Sequence, residues 1–359
     1  MPFRNIAVGV WSYDTHTNTH VPWATRLPLL TQAVQALAAW RDQTANAARL
    51  GADEKQRQLW SNPTGRLSMV FVAPEYMFMG TCATGLSNPT DDRFLSDNEH
   101  LQILNALTTI SDGYGVQLCF IPGSIAFKVP FLQANDCAAD IGARYAKVES
   151  GIQWGAAQIQ QMAARQGVAF TPAQARAWPL SGTMGGMAAR TTDDKLNLLA
   201  KSANNRFANL YLGQNKMYML HRGKVVGTYR KKCDFHEVLP GDVRHTIFIP
   251  GDTPGRSTVA VIPFGMEICL DHGSGVLSDT PSLTGSLPSV HALASACVPI
   301  DPGNVVVRDK GYVLHASSAL KFSGAWRKTT PGPTNVIGAN WQPVGNGMLG
   351  TGVIELDIA

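Results

Sequence analysis

The chain is short of charge. Asp, Glu, Lys and Arg make up 16% of its 359 residues, against about 25% in an ordinary soluble protein. That shortage points to apolar or backbone-rich surface covered by packing or by an oligomer partner. A net charge of +4 and a densest basic stretch of only Tyr229-Arg230-Lys231-Lys232 leave no footprint for nucleic acid. The six cysteines, Cys82, Cys119, Cys137, Cys233, Cys269 and Cys297, show no paired short spacing of the zinc or redox type, and they are too sparse for a disulfide scaffold. Reduced thiols in a cytoplasmic protein are therefore expected. No window reaches the roughly 18 uninterrupted apolar residues of a membrane span, and Met1-Pro2-Phe3-Arg4-Asn5 runs into a short strand without the apolar stretch of a signal peptide. Internal repeats and a Pro/Gly/Ser linker are also missing, so a single domain is expected.

What is present is 45% hydrophobic residues, enough for a core without staples, arranged in alternating periods. Ile6–Val10 and the run Leu67–Ala73, closed by Pro74, read as buried strands. Leu27–Ala38 reads as a helix. Asp97–Ile110 reads as another, with Leu101, Ile103, Leu104, Leu107 and Ile110 as its buried stripe. Val116–Ile121 is a strand ended by Pro122-Gly123. Strand, helix and strand with short breakers predict an α/β fold. The stretch from about 127 to 206 breaks the rhythm: it holds a helical segment, Trp154–Gln166, then Pro172, Pro179 and a Gly/Met-rich loop, and looks inserted. Beyond it, Lys216–Leu220 and Val225–Tyr229 flank His221-Arg222-Gly223-Lys224, a hairpin pattern in which Gly223 can take positive φ. Ile247–Ile249, the turn Pro250–Thr253 and Ser257–Phe264 read as a second hairpin. Short strands follow at Val305–Val307, Gly311–Ala316, Asn335–Gly338 and Gly352–Leu356.

Three reactive side chains lie just past apolar strands, the place where α/β sheets present functional groups. Glu75 sits between Phe71-Val72-Ala73-Pro74 and Tyr76-Met77-Phe78-Met79. Such apolar company desolvates a carboxylate and suits it to proton transfer, although a solvated loop carboxylate is the commoner case. Cys269 follows Gly265-Met266-Glu267-Ile268 and precedes Asp271 and His272. A cysteine taken at random is a buried structural thiol, but these polar flanks do not belong to the middle of a core strand. A nucleophilic thiol needs a base or cation nearby, and an activated one should react with iodoacetamide near neutral pH ahead of the other thiols. Lys231, taken alone, reads equally well as half of a surface basic pair.

Together the three segments resemble the carbon–nitrogen hydrolase (nitrilase) superfamily. Val70-Phe71-Val72-Ala73-Pro74-Glu75 matches its strand into Pro-Glu. Gly223-Lys224-Val225-Val226-Gly227-Thr228-Tyr229-Arg230-Lys231 matches its lysine motif and selects Lys231 over Lys232. Gly265-Met266-Glu267-Ile268-Cys269-Leu270-Asp271 matches its cysteine motif. Gly115–Ser124 and the turn Phe248-Ile249-Pro250-Gly251-Asp252 agree as well. The resemblance covers roughly 5–124 and 209–277.

It implies a four-layer α-β-β-α sandwich, subunits pairing as a homo-oligomer, and a catalytic Glu75, Lys231 and Cys269 that need no cofactor and no metal. The substrate it implies is a small linear amide or carbamoyl compound, with no nucleic acid or membrane partner. Leu270, through its backbone N–H, would help hold the oxyanion; Tyr76 and His272, beside the catalytic residues, are candidates for the pocket lining. A second glutamate, usual before the Phe-x-Pro-Gly turn, falls here near Arg244, so Glu237 takes its place as a candidate, with a plain loop carboxylate as the alternative. A nitrilase would show Trp-Glu after the cysteine, where this chain has Leu270-Asp271. An N-acyltransferase or a catalytically silent scaffold are the remaining alternatives. The segment 127–206 has no ordinary counterpart and is expected to cover the active-site mouth or shape the oligomer.

Overall fold

The computed structural model describes residues 3–52, 54–55, 57, 66–81, 93–165, 167–178, 191–204, 209–234, 237–238, 245–252, 254–278, 287–329 and 333–357. In chain order the elements are β1 (Phe3–Ser12), α1 (Trp23–Asp42), α2 (Thr44–Arg49), β2 (Met69–Val72), β3 (Leu95–Ser96), α3 (Asp97–Gly113), β4 (Leu118–Ile121) and β5 (Ser124–Pro130). Three helices follow, α4 (Ala138–Arg165), α5 (Pro172–Ala177) and α6 (Thr192–Asn204). The chain then forms β6 (Tyr211–His221), β7 (Lys224–Arg230), β8 (Thr246–Phe248), β9 (Arg256–Val259), β10 (Ile262–Ile268), α7 (Leu270–Gly273) and β11 (Val290–Ser295). It ends with β12 (Tyr312–Ser317), β13 (Gly324–Arg327), β14 (Thr334–Asn335), β15 (Trp341–Val344) and β16 (Gly347–Asp357).

Two sheets carry the molecule. The larger runs β15-β16-β1-β2-β4-β6-β5-β3, with β7 and β8 also paired to β6; the smaller runs β14-β13-β12-β11-β10-β9. Side-chain alternation explains how they stack. Val70, Val72, Cys119, Ile121, Met217 and Met219 point inward and meet Phe264, Met266, Ile268, Ala292 and Leu314 of the other sheet in one buried core. The alternate residues Met69, Phe71, Leu118, Phe120 and Leu220 point outward onto Leu30, Val34 and Leu37 of α1 and Ile103 and Leu107 of α3. Strands buried on both faces read as unbroken apolar runs, which is why β2 and β4 are legible in the sequence. The order is α-β-β-α, and among the described residues the fourth layer, over the smaller sheet, is reduced to the single turn of α7 and the segments around it. No helix of the described residues is long and apolar enough to cross a membrane.

Several expectations need correction. Leu101 is half exposed at 50%, so the stripe of α3 is narrower than its periodicity suggests. The strand expected at Val116–Ile121 opens with a 3-10 turn, Gly115–Gln117, and Val305–Val307 lies outside any strand. The second expected hairpin does not exist. β8 pairs in parallel with β6 in the larger sheet, while Ser257–Phe264 is itself a hairpin, β9 against β10, turning at Ala260 and Val261, both at positive φ. The first hairpin is present, with Arg222 at φ 53 and Gly223 at φ 64 in its turn.

The helices α4 to α6 occupy the connection from β5 to β6. They bury Ile141, Val148, Ile152 and Leu199 against Phe131, Leu212, Ile247 and Ile249. Gly155 of α4 packs on Pro250, with space for a Cβ 3.4 Å from the proline ring. Lys195 of α6 is ion-paired with Asp234, both buried. The segment is thereby fastened to the turn and the loop that flank Lys231.

Candidate active site

Glu75, Lys231, Glu237 and Cys269 meet at one end of the interface between the sheets, all buried. β11 aligns two of them. Its last two residues accept backbone hydrogen bonds from both reactive segments, Cys269 N–H to Ala294 O at 2.8 Å and Glu75 N–H to Ser295 O at 3.3 Å. Asn215 of β6 ties in the third. Its carbonyl accepts from Lys231 N–H at 2.8 Å, and its Nδ2 donates to Glu75 Oε1 at 3.0 Å. Gly251 also donates its N–H to Lys231 O at 2.9 Å, an approach that only glycine permits, because a Cβ there would lie 2.0 Å from Arg230 O.

The lysine is shared by two carboxylates. Lys231 Nζ donates to Glu75 Oε1 at 2.7 Å and to Glu237 Oε1 at 2.6 Å. Burial works against its charge, but Glu237 and Glu75 overcome that cost and hold its pKa well above the ordinary lysine value. It stays an ammonium across the working range. Tyr76 donates from its hydroxyl to Glu237 Oε2 at 2.5 Å, and Arg93 donates to that hydroxyl at 3.1 Å while lying 4.6 Å over the ring. Tyr76 is therefore a support for Glu237 in this structure, whatever surface it also offers a ligand. Arg93 and Asn215 belong to the site and were not identified from the sequence. Asn215 had a signal: it shares the inward face of β6 with Met217 and Met219, where a lone amide needs a polar partner.

Cys269 sits on a sharp elbow between β10 and α7, at φ 50 and ψ −111, a conformation that a residue with a side chain adopts only when its surroundings enforce it. Asp271 enforces it. Its carboxylate accepts from Lys232 N–H at 2.7 Å, Cys233 N–H at 2.6 Å and the Tyr229 hydroxyl, which clamps the elbow to the lysine loop. Burial pushes its pKa up to about 6 against these donors, so it is a carboxylate at neutral pH. On the far side of β10, Glu267 accepts from Leu277 N–H at 2.5 Å and from His272 Nδ1–H at 3.0 Å, with His291 Nε2 3.0 Å from the same oxygen as His272. Burial alone would raise this carboxyl, but the two histidines bring it down to about 2. Glu267, His272 and His291 have the donor types of a metal site, and here they tie the elbow to β11.

His272 is thus placed away from the pocket it was expected to line. It is fully buried, and its second nitrogen accepts from Asp301 N–H at 3.0 Å. Leu270 does face a cavity, on the side of α4. The position near Arg244 lies outside the described residues.

Burial pushes the Cys269 pKa well above the usual thiol value; the charge of Glu75 adds to the rise, and Lys231 opposes it. The group at rest is a thiol. At pH 7 N-ethylmaleimide should therefore modify the exposed Cys137 and Cys297 before Cys269, followed by peptide mass spectrometry over time. Modification of Cys269 first would mean that a thiolate stands ready in the resting site.

No protein-family model matches the chain, and no curated protein matches it in sequence. Solved structures do. Nit3 of Saccharomyces cerevisiae, a member of branch 10 of the nitrilase superfamily, is similar at 12% identity and a TM-score of 0.40, over 99% of this chain and 90% of its own. A mutant of the Nesterenkonia AN1 amidase, also from the nitrilase superfamily, is similar at 11% and 0.42, over 98% and 90%. A carbon–nitrogen hydrolase from Helicobacter pylori G27 is similar at 11% and 0.41, over 99% and 90%.

Proposed function

We propose that this chain is a member of the nitrilase superfamily that hydrolyses a carbon–nitrogen bond of a linear amide through a Cys269 thioester. The observation that carries the reading is the meeting of a buried thiol, a buried carboxylate close enough to perturb it and an ammonium bonded to that carboxylate, on the three motifs that resemble the superfamily. Glu75 takes the thiol proton as sulfur attacks the carbonyl carbon. The oxyanion that forms is held by the Lys231 ammonium and the Leu270 backbone N–H, each worth about 3–4 kcal/mol when well placed. Collapse breaks the C–N bond, and Glu75 gives its proton to the departing nitrogen. Water then adds to the thioester, Glu75 takes a proton from it, and the acid leaves as the proton returns to sulfur. Glu237 keeps Lys231 aimed and charged.

Paired amides and nitriles of the same acids test the assignment, with ammonia and carboxylic acid measured together. Amides should yield both in equal amounts, and added hydroxylamine should divert part of the acyl group to the hydroxamate. Turnover of nitriles alone would move the enzyme to the nitrilase class. Acyl transfer to amines without hydrolysis would make it an N-acyltransferase.

A further inference from the structure

The helices between β5 and β6 do more than fasten to the lysine loop. They enclose, with that loop and the elbow, a cavity of about 530 Å³, within the roughly 300–1,000 Å³ range of small-molecule sites. Its walls are apolar: Ile159 and Ala163 of α4, then Val168, Phe170 and Trp178, facing Leu270. Phe170 and Trp178 pack ring to ring, with centroids 5.1 Å apart. Val168 at 47% and Trp178 at 40% are among the few large hydrophobic side chains left exposed among the described residues. The one carboxylate at its edge, Asp234, is matched by Lys195. These apolar side chains stand beside Leu270, the residue next to Cys269.

Resting on the proposed amide chemistry, we infer that this cavity receives a bulky apolar acyl group, so that the substrate is an amide of a medium-chain or arylalkyl carboxylic acid. The side of the scissile bond follows from proton transfer. Glu75 must reach the departing nitrogen, so that nitrogen faces Glu75, Tyr76 and Asn215. The acyl chain leaves the reacting carbon away from them, and the cavity, which neither those three nor Cys269 lines, adjoins the site through Leu270, the residue after Cys269. The helices that interrupt the fold thereby set specificity, by supplying one apolar wall.

The test is kcat/KM for acetamide, butyramide, hexanamide and 3-phenylpropionamide, with N-hexylacetamide as control, and binding of 3-phenylpropionamide to Cys269→Ala protein by calorimetry. Each added acyl methylene should raise kcat/KM about fourfold, a gain on the order of 100-fold from acetamide to hexanamide. Trp178→Ala should remove tenfold or more of that gain, leave acetamide within about twofold, and be rescued by Trp178→Phe. A flat series, an equal loss on all amides, or a gain confined to N-hexylacetamide would overturn the inference. If no amide is hydrolysed, yet 3-phenylpropionamide binds and Trp178→Ala abolishes that binding, the apolar site stands and the hydrolase reading falls. If acetamide is hydrolysed and 3-phenylpropionamide neither reacts nor binds, the hydrolase reading stands and the apolar site falls.

Discussion

Cys269→Ala is expected to abolish amide turnover, and Glu75→Gln to lower kcat/KM by on the order of 10⁴-fold, with the double variant no worse than Cys269→Ala alone. The equality follows from the chemistry. In the proposed mechanism Glu75 takes the Cys269 proton in the first step and every later step runs through the Cys269 thioester, so removing either removes the whole unit. The gentler of the two for the fold is Cys269→Ala, because the elbow is held by backbone bonds, Cys269 N–H to Ala294 O and His272 N–H to Cys269 O, which alanine keeps. Glu75→Gln retains a side chain that can bond Lys231 and Asn215 but cannot take a proton. Thermal unfolding should show both variants folded. Additive losses in the double variant would mean that the two side chains serve separate steps.

The same network explains what could be read from the sequence. Glu75 and Cys269 were visible because each closes an apolar strand with a polar residue, and strand ends are fixed by local pattern. Lys231 was visible only through a resemblance over nine residues, since nothing in Arg230-Lys231-Lys232 tells a buried ammonium from a surface one. The structure separates them by packing: Lys231 is buried against two carboxylates, while Lys232 is half-buried, with its Nζ 5.9 Å from the Trp154 ring. β11 was not read at all, yet it sets Glu75 and Cys269 side by side. Its pairing with β10 and β12 joins residues more than twenty positions apart, and no local period reports such contacts. The crossing between sheets from β8 to β9 was missed for a related reason. A turn of Pro, Gly and Asp reads as a hairpin unless the partners of both flanking strands are known, and here the strands pair in different sheets. His272 misled because nearness in sequence to Cys269 does not decide which face of a one-turn helix a ring takes.

Lys231→Met should separate two roles that one ammonium combines. In the wild-type protein it sits between Glu75 and Glu237, both buried, at 2.7 and 2.6 Å. Removing it leaves two desolvated carboxylates facing each other, a change that costs about 3–5 kcal/mol when one partner of a buried ion pair is lost. Turnover should also slow by about two to three orders of magnitude or more, roughly the effect of deleting one preorganised oxyanion donor. Lys231→Met with Glu237→Gln should recover part of the stability, since one of the two uncompensated charges is gone, without recovering kcat. Glu237→Gln alone should keep most of the fold, because an amide can still accept from Lys231 and can donate toward Tyr76. Its kcat should fall less than that of Lys231→Met. Denaturant unfolding and steady-state kinetics on the three variants resolve the two effects. Recovery of kcat in the double variant would show that Lys231 only neutralises Glu237 and takes no part in holding the oxyanion.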